Sequence, residues 1–146
     1  MKWRYEPFAN LSVVELYRII ALRQRVFVVE QTCPYLDTDG VDLASDHLWT
    51  GEEPLAYLRV VPGGAKYEEP SLGRIVTAPE ARGTGLGRAL VIEGLARARA
   101  RFGDVPVRIG AQKYLFGFYE SFGFVRAGDD YVEDGIDHVE MLRLPS

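Results

Sequence analysis

Cysteine is almost absent from this sequence. The single residue, Cys33, cannot form an internal disulfide and has no CxxC partner, which fits a reducing compartment and predicts a small buried hydrophobe. Long apolar runs are missing too: nothing approaches the ~18 residues of a membrane span. Met1 to Asn10 also lacks the charged start and apolar centre of a signal peptide. A soluble, cytoplasmic protein without a membrane partner is expected. Nor does one sign of charge dominate. The formal charge of -4 provides no broad basic field for a phosphate backbone, so nucleic acid is not an expected partner. Metal motifs are lacking as well, with neither His-Glu-x-x-His nor paired cysteines. Asp37-Thr-Asp39-Gly40 opens like a calcium loop, but its glycine stands at position four instead of six, and Leu48 occupies position twelve, where glutamate is required. No metal is expected.

What is present is a globular composition, 47% hydrophobic over 146 residues, enough for one core and too short for two comfortable domains. A single domain over 1–146 is therefore expected. Ser12-Val-Val-Glu15 reads as a capping box with Leu11 and Leu16 as its hydrophobic staple, and Val13, Leu16, Tyr17 and Ile20 continue a helix to about Arg25. Val26 to Asp46 carries Pro34, Gly40 and the acidic residues Glu30, Asp37, Asp39, Asp42 and Asp46, and reads mainly as an ordered acidic loop. His47 to Thr50 and Leu55 to Val61 form a strand pair around Gly51-Glu-Glu-Pro54, and Ser71 to Thr77 makes a third strand.

Leu90, Val91, Gly94, Leu95, Ala98 and Phe102 share one face of a helix over Leu86 to Phe102, with Arg97, Arg99 and Arg101 towards the other face. Val107, Ile109 and Ala111 alternate as a strand. Leu115, Phe118, Tyr119 and Phe122 then follow helical spacing up to a Gly123 cap. Strands at about Phe124 to Ala127 and His138 to Leu144 flank a turn-rich stretch holding Asp134-Gly135. This order predicts an α/β or α+β fold, with a mixed sheet covered by helices.

The most informative stretch runs from Leu72 to Leu90. A strand ends, Pro79 marks the exit, Gly83, Gly85 and Gly87 follow, and a helix begins. Loop amides and the unpaired amides of the first helical turn can there converge on an anion, aided by the helix dipole. Two nucleotide motifs fail. The Walker pattern needs Lys and then Ser or Thr after the glycine, whereas Arg88 and Ala89 follow Gly87; the dinucleotide fingerprint needs glycine three places after Gly85, where Arg88 stands.

Arg82-x-x-Gly85-x-Gly87 does resemble the pyrophosphate-binding signature of the GNAT (GCN5-related) N-acetyltransferases, in which the motif joins the fourth strand to a helix. Phe118-Tyr-Glu-Ser-Phe-Gly-Phe124 resembles the same family's acyl-CoA-proximal helix, about 30 residues further on. Leu22 to Tyr35, Asp39-Gly-Val-Asp42, Asp46-His47 and Glu133 to Met141 are similar to the ElaA-like branch, so the resemblance covers nearly the whole chain. It implies a mixed, mostly antiparallel sheet with helices on both faces.

The resemblance further implies acetyl-CoA as co-substrate, a small-molecule or peptide amine as acceptor, and direct attack in a ternary complex; a homodimer is left open. Ile75, Val76 and Thr77 would offer backbone groups to the pantetheine arm and the thioester. Arg82, Gly83, Thr84, Gly85, Leu86, Gly87 and Arg88 would hold the diphosphate. Gln112 stands where many members have an asparagine on the pantetheine arm, a longer stem that puts this contact in question.

Tyr119 is the candidate acid for the departing thiolate, with core packing as its bland alternative. Glu30, Asp39, Asp46, His47 and Glu140 are all chemically able to take the amine proton, with Glu30 and His47 put forward and a structural role weighed against His47. The aspartates are alternatively a field that attracts a cationic acceptor. A non-catalytic acyl-CoA-binding sensor or complex subunit is the competing function, and transfer of a bulkier acyl group is a third.

Overall fold

A computed structural model describes residues 2–146. Its frame is one seven-stranded sheet in the order β1-β2-β3-β4-β5-β7-β6. The strands are β1 (Trp3–Pro7), β2 (Asp46–Thr50), β3 (Ala56–Val61), β4 (Ser71–Thr77), β5 (Val107–Gln112), β6 (Phe124–Glu133) and β7 (Ile136–Arg143). Only β4 and β5 run parallel. Parallel neighbours need a crossover, which α2 (Leu86–Phe102) supplies. The mixed, mostly antiparallel sheet implied by the resemblance is thus present.

Both faces of the sheet are covered, because side chains alternate along β3. A Cβ at Gly94 of α2 would come within 2.7 Å of Leu58, so the missing side chain is what lets this helix sit directly on β3. On the opposite face the guanidinium of Arg23, from α1 (Val13–Arg23), lies 5.7 Å from the Tyr57 ring. β2 and β3 are buried at every position. The capping box forms as read, Ser12 accepting from the Glu15 amide and Glu15 from the Ser12 amide.

Two expectations need correction, and one element went unread. The chain from Val26 to Glu30 is not loop but part of a π-helical continuation of α1 over Gln24–Glu30, which drives Val26 and Phe27 into the core. The i→i+5 bonds Val26 O to Gln31 N and Val28 O to Cys33 N, at 3.1 and 3.0 Å, close these wide turns. The stretch read as turn-rich around Asp134-Gly135 is a long hairpin. Its two turn residues have φ of 53° and 76°, as a tight primed turn requires, and a register shift between Arg126 and Asp130 absorbs the polar residues there. Finally, Trp3–Pro7 adds an edge strand to β2 that local pattern did not signal.

The acidic segment is ordered by charge. Arg23 and Arg59 are fully buried, and Asp37, Asp39 and Asp42 close on them. Asp42 accepts from Arg23 at 2.7 Å and from Arg59 at 3.0 Å, while Asp39 takes the Arg59 fork at 2.8 Å on both oxygens. With Arg74, which pairs with Asp37 and Asp39, three cations balance three anions. Cys33 is buried, as expected, and donates its thiol to the Asp134 carbonyl, tying this segment to the β6–β7 hairpin.

Candidate active site

The site begins where the sheet fails to close. β4 and β5 pair only at Ser71 and Arg108, so the β4 edge beyond Ser71 has no strand neighbour on that side. On its other side β4 bulges: Tyr57 faces Val76 and Arg59 faces Gly73, so Leu58 alone opposes Arg74 and Ile75. Arg74 takes φ of 49°, a left-handed backbone costly for a non-glycine residue. Its guanidinium is pinned by the Asp37 carbonyl at 3.0 Å and by Tyr35 beneath it. The buried Asp–Arg cluster thereby supports the bulge. A cavity of about 660 Å³ fills the gap, with Ile75, Val76 and Thr77 on one wall and Ile109, Gly110 and Gln112 on another.

One end of the cavity is the glycine loop. Gly83 and Gly85 have φ of 78° and 82°, which side chains rarely tolerate, and a Cβ on either would point into open space. Gly85 caps α2 with no side-chain partner. Among the described residues, the amides from Gly83 to Arg88 donate to nothing within the chain. Such a row of free donors at a helix start is what an anion needs. Thr84 turns away, its hydroxyl donating to the Ala81 carbonyl at 2.6 Å. Arg88 is stretched over the Phe122 ring and donates to the Ser121 hydroxyl at 2.9 Å, joining the loop to α3 (Phe116–Glu120).

α3 carries Tyr119 into the cavity wall. The ring is held edge-on by Phe118 and Phe124, with centroids 5.2 and 6.1 Å away. Its hydroxyl has no hydrogen-bond partner among the described residues, and burial pushes the phenol well above its ordinary range. Gln112 also faces the cavity and donates to Gln31 of the π-helical turn at 3.3 Å.

A free amide cradle, an unpaired β4 edge and a cavity-facing tyrosine meet here as the two sequence motifs require. The acetyltransferase (GNAT) domain family matches residues 53–144. The chain belongs to the GNAT acetyltransferase family. Protein ElaA of Escherichia coli is 40% identical over 147 residues, covering 98% of this chain and 96% of that protein. The crystal structure of E. coli ElaA superposes with a TM-score of 0.90 at 38% identity, covering 97% and 98% of the two chains. An acyl-CoA N-acyltransferase from Pseudomonas aeruginosa gives 0.92 at 38% identity, over 98% and 99%. These likenesses put the chain in the ElaA-like branch of GNAT proteins.

Within this GNAT fold the candidate proton acceptors separate. His47 does not line the cavity. It is buried on β2, with Nε2 donating to the Asp42 carbonyl at 3.0 Å and Nδ1 accepting from the Tyr57 hydroxyl at 2.7 Å. Burial pushes its pKa down, and the structural role weighed against it is the one observed. Asp46 is equally committed, taking Tyr5 at 2.6 Å and Arg101 at 2.8 Å. Asp39, although half-exposed, is held far below the carboxylate range by Arg59 and Arg74 against the opposing effect of burial. Asp37, Asp39, Asp42 and Asp46 are thus each paired with arginine. Glu30 does line the cavity, but its two oxygens take the fork of Arg82 at 2.6 and 3.2 Å, which sets both residues beside the glycine loop.

Sequence reasoning passed over Tyr35, Tyr67, Glu133 and His138, which line the end of the cavity bounded by the β6–β7 hairpin. A signal existed: with β5 beside β7, alternation places His138 opposite Gln112. That pairing of distant strands was not legible locally.

Proposed function

We propose that this GNAT protein transfers the acetyl group of acetyl-CoA to a primary amine by direct attack in a ternary complex. The observation that carries this reading is the continuous cavity running from the free amides of Gly83 to Arg88, along the unpaired edge of β4, to the hydroxyl of Tyr119. The amide row and Arg82 bind the diphosphate, with Glu30 balancing the arginine while the site is empty. The pantetheine arm takes the place of β5 along this edge, bonded to backbone groups of Ile75, Val76 and Thr77, and Gln112 reaches the arm from the opposite wall. A β4 amide polarises the thioester carbonyl, which needs donors already aimed at the developing oxyanion. Tyr119 donates its hydroxyl hydrogen to the leaving sulfur.

The deciding experiment combines calorimetry with acetyl-CoA and a thiol-release assay on polyamines, amino acids, aminoglycosides and peptide amines. Binding together with acceptor-dependent thiol release is expected. Tight acetyl-CoA binding with no release on any amine would instead make the chain a non-catalytic acyl-CoA sensor.

A further inference from the structure

We infer that His138 is the general base that deprotonates the incoming ammonium, and that Glu133 holds the imidazolium that results. This rests on the transferase reading above and assigns the proton path that reading requires. His138 lies on β7 in the cavity wall, only 9% exposed, directly across the sheet from Gln112 on β5. Its Nδ1 sits 2.7 Å from the Ile136 carbonyl. A carbonyl only accepts, so Nδ1 carries the hydrogen of the neutral ring and Nε2 keeps the lone pair. Nε2 has no hydrogen-bond donor aimed at it among the described residues; its near neighbour is Glu133 Oε2 at 3.9 Å. The ring is fixed by stacking on Tyr131, with centroids 5.5 Å apart.

This is the reverse of His47, whose two nitrogens are both spent inside the fold. Other charged and titratable groups around His138 include Tyr131 and Glu133 from β6, Asp134 from the hairpin turn, Asp137 and Glu140 along its own strand, and Tyr67 and Lys66 from the β3–β4 loop. Glu140 is already drawn to Arg108 at 3.3 Å, which leaves Glu133 as the carboxylate placed to favour a charged imidazole.

The chemistry balances. Nε2 takes one proton from R–NH3+, and the neutral amine nitrogen forms its bond to the thioester carbonyl carbon as the carbon–sulfur bond breaks. The second proton lost by nitrogen reaches the thiolate by way of the Tyr119 hydroxyl, giving free thiol. His138 then releases its proton to solvent, so the sum is thioester plus ammonium giving amide, thiol and one proton.

The test measures thiol release from acetyl-CoA with spermidine, lysine, kanamycin and a lysine-containing peptide. The fastest acceptor is then followed from pH 6 to 9.5. His138→Asn, whose amide can still donate to the Ile136 carbonyl, is expected to bind acetyl-CoA within two-fold of the wild type. Its kcat/KM should fall by roughly 10² at pH 7, and the deficit should shrink as pH rises and free amine accumulates. Glu133→Gln, a change at a half-exposed side chain, covers the case in which His138→Asn does not fold. Losing the carboxylate that holds the imidazolium should lower kcat/KM by about two- to five-fold, with acetyl-CoA binding within two-fold of the wild type. A deficit of equal size at every pH in His138→Asn, or kcat/KM unchanged in Glu133→Gln, overturns the role of His138 while leaving the transferase intact. A wild type that binds acetyl-CoA yet acts on none of the four amines overturns both.

Discussion

Replacing Tyr119 by Phe separates packing from catalysis more cleanly than any other single change. The substitution keeps the ring against Phe118 and Phe124 and removes only an oxygen with no partner in the free protein. No hydrogen bond within the described residues is lost, and the hydroxyl faces the cavity instead of being sealed in the core. Tyr119→Phe should therefore change stability by less than about 1 kcal/mol, within ~2–4 °C in Tm for a chain of this size.

Catalysis, by contrast, should fall. A free phenol and a free thiol differ by about 1.5 pKa units, so complete proton transfer to thiolate is uphill by roughly 2 kcal/mol. Burial of Tyr119 widens that gap. Donation of a hydrogen bond to sulfur as charge develops is thus the larger contribution, and losing one such positioned donor typically costs about 10²- to 10³-fold in kcat. The assay is thiol release at saturating acetyl-CoA and acceptor, with calorimetric Kd and a thermal melt on the same samples. An unchanged Kd with kcat down at least 10²-fold is the expected result. A kcat within three-fold of wild type would refute the reasoning, making Tyr119 a packing residue and water the proton donor.

Asp42→Asn removes one anion from the buried arginine cluster and should cost about 3–5 kcal/mol in urea melts at pH 7. Despite the cost of burying it, Arg23 and Arg59 hold the Asp42 carboxyl below its ordinary range, so its contribution is complete above the unfolded value and lost as pH falls through the folded one. The gap between wild type and variant should then be full at pH 7 and close below about pH 4, and a gap that widens in acid would contradict this. Arg82→Ala should weaken acetyl-CoA binding by about ten-fold, somewhat less than a full charge-assisted bond because Glu30 must be displaced. Glu30→Gln should tighten binding up to about five-fold by removing that half-exposed competitor; a large fall in kcat with Kd unchanged would restore Glu30 as a base.

Features set by neighbouring residues were legible in the sequence. Ser12 and Glu15 make their capping box within one turn, and Gly83 and Gly85 take the left-handed φ that their lack of a side chain allows. The 3.6-residue spacing from Leu86 to Phe102 gives the helix that is found, and Ser71 to Thr77 is the strand expected. Together these place the glycine loop, because every part of it depends on chain neighbours.

Tertiary contact decided the rest. Gly128, Asp129 and Asp130 favour turns on their own, yet the β7 pairing on either side of them, at Arg126 and Asp130, carries the stretch through β6 as a bulge. Asp37, Asp39 and Asp42 read as part of an ordered acidic loop, but only the fold brings Arg23, Arg59 and Arg74 from three separate elements to pair with them. The two histidines are set apart for the same reason. Hydrogen bonds from Tyr57 and the Asp42 carbonyl close both nitrogens of His47, whereas the β5–β7 pairing carries His138 to the cavity opposite Gln112 with one nitrogen free. Local sequence sets what a side chain can do, but which partners desolvate or occupy it depends on strands brought together from tens of residues away.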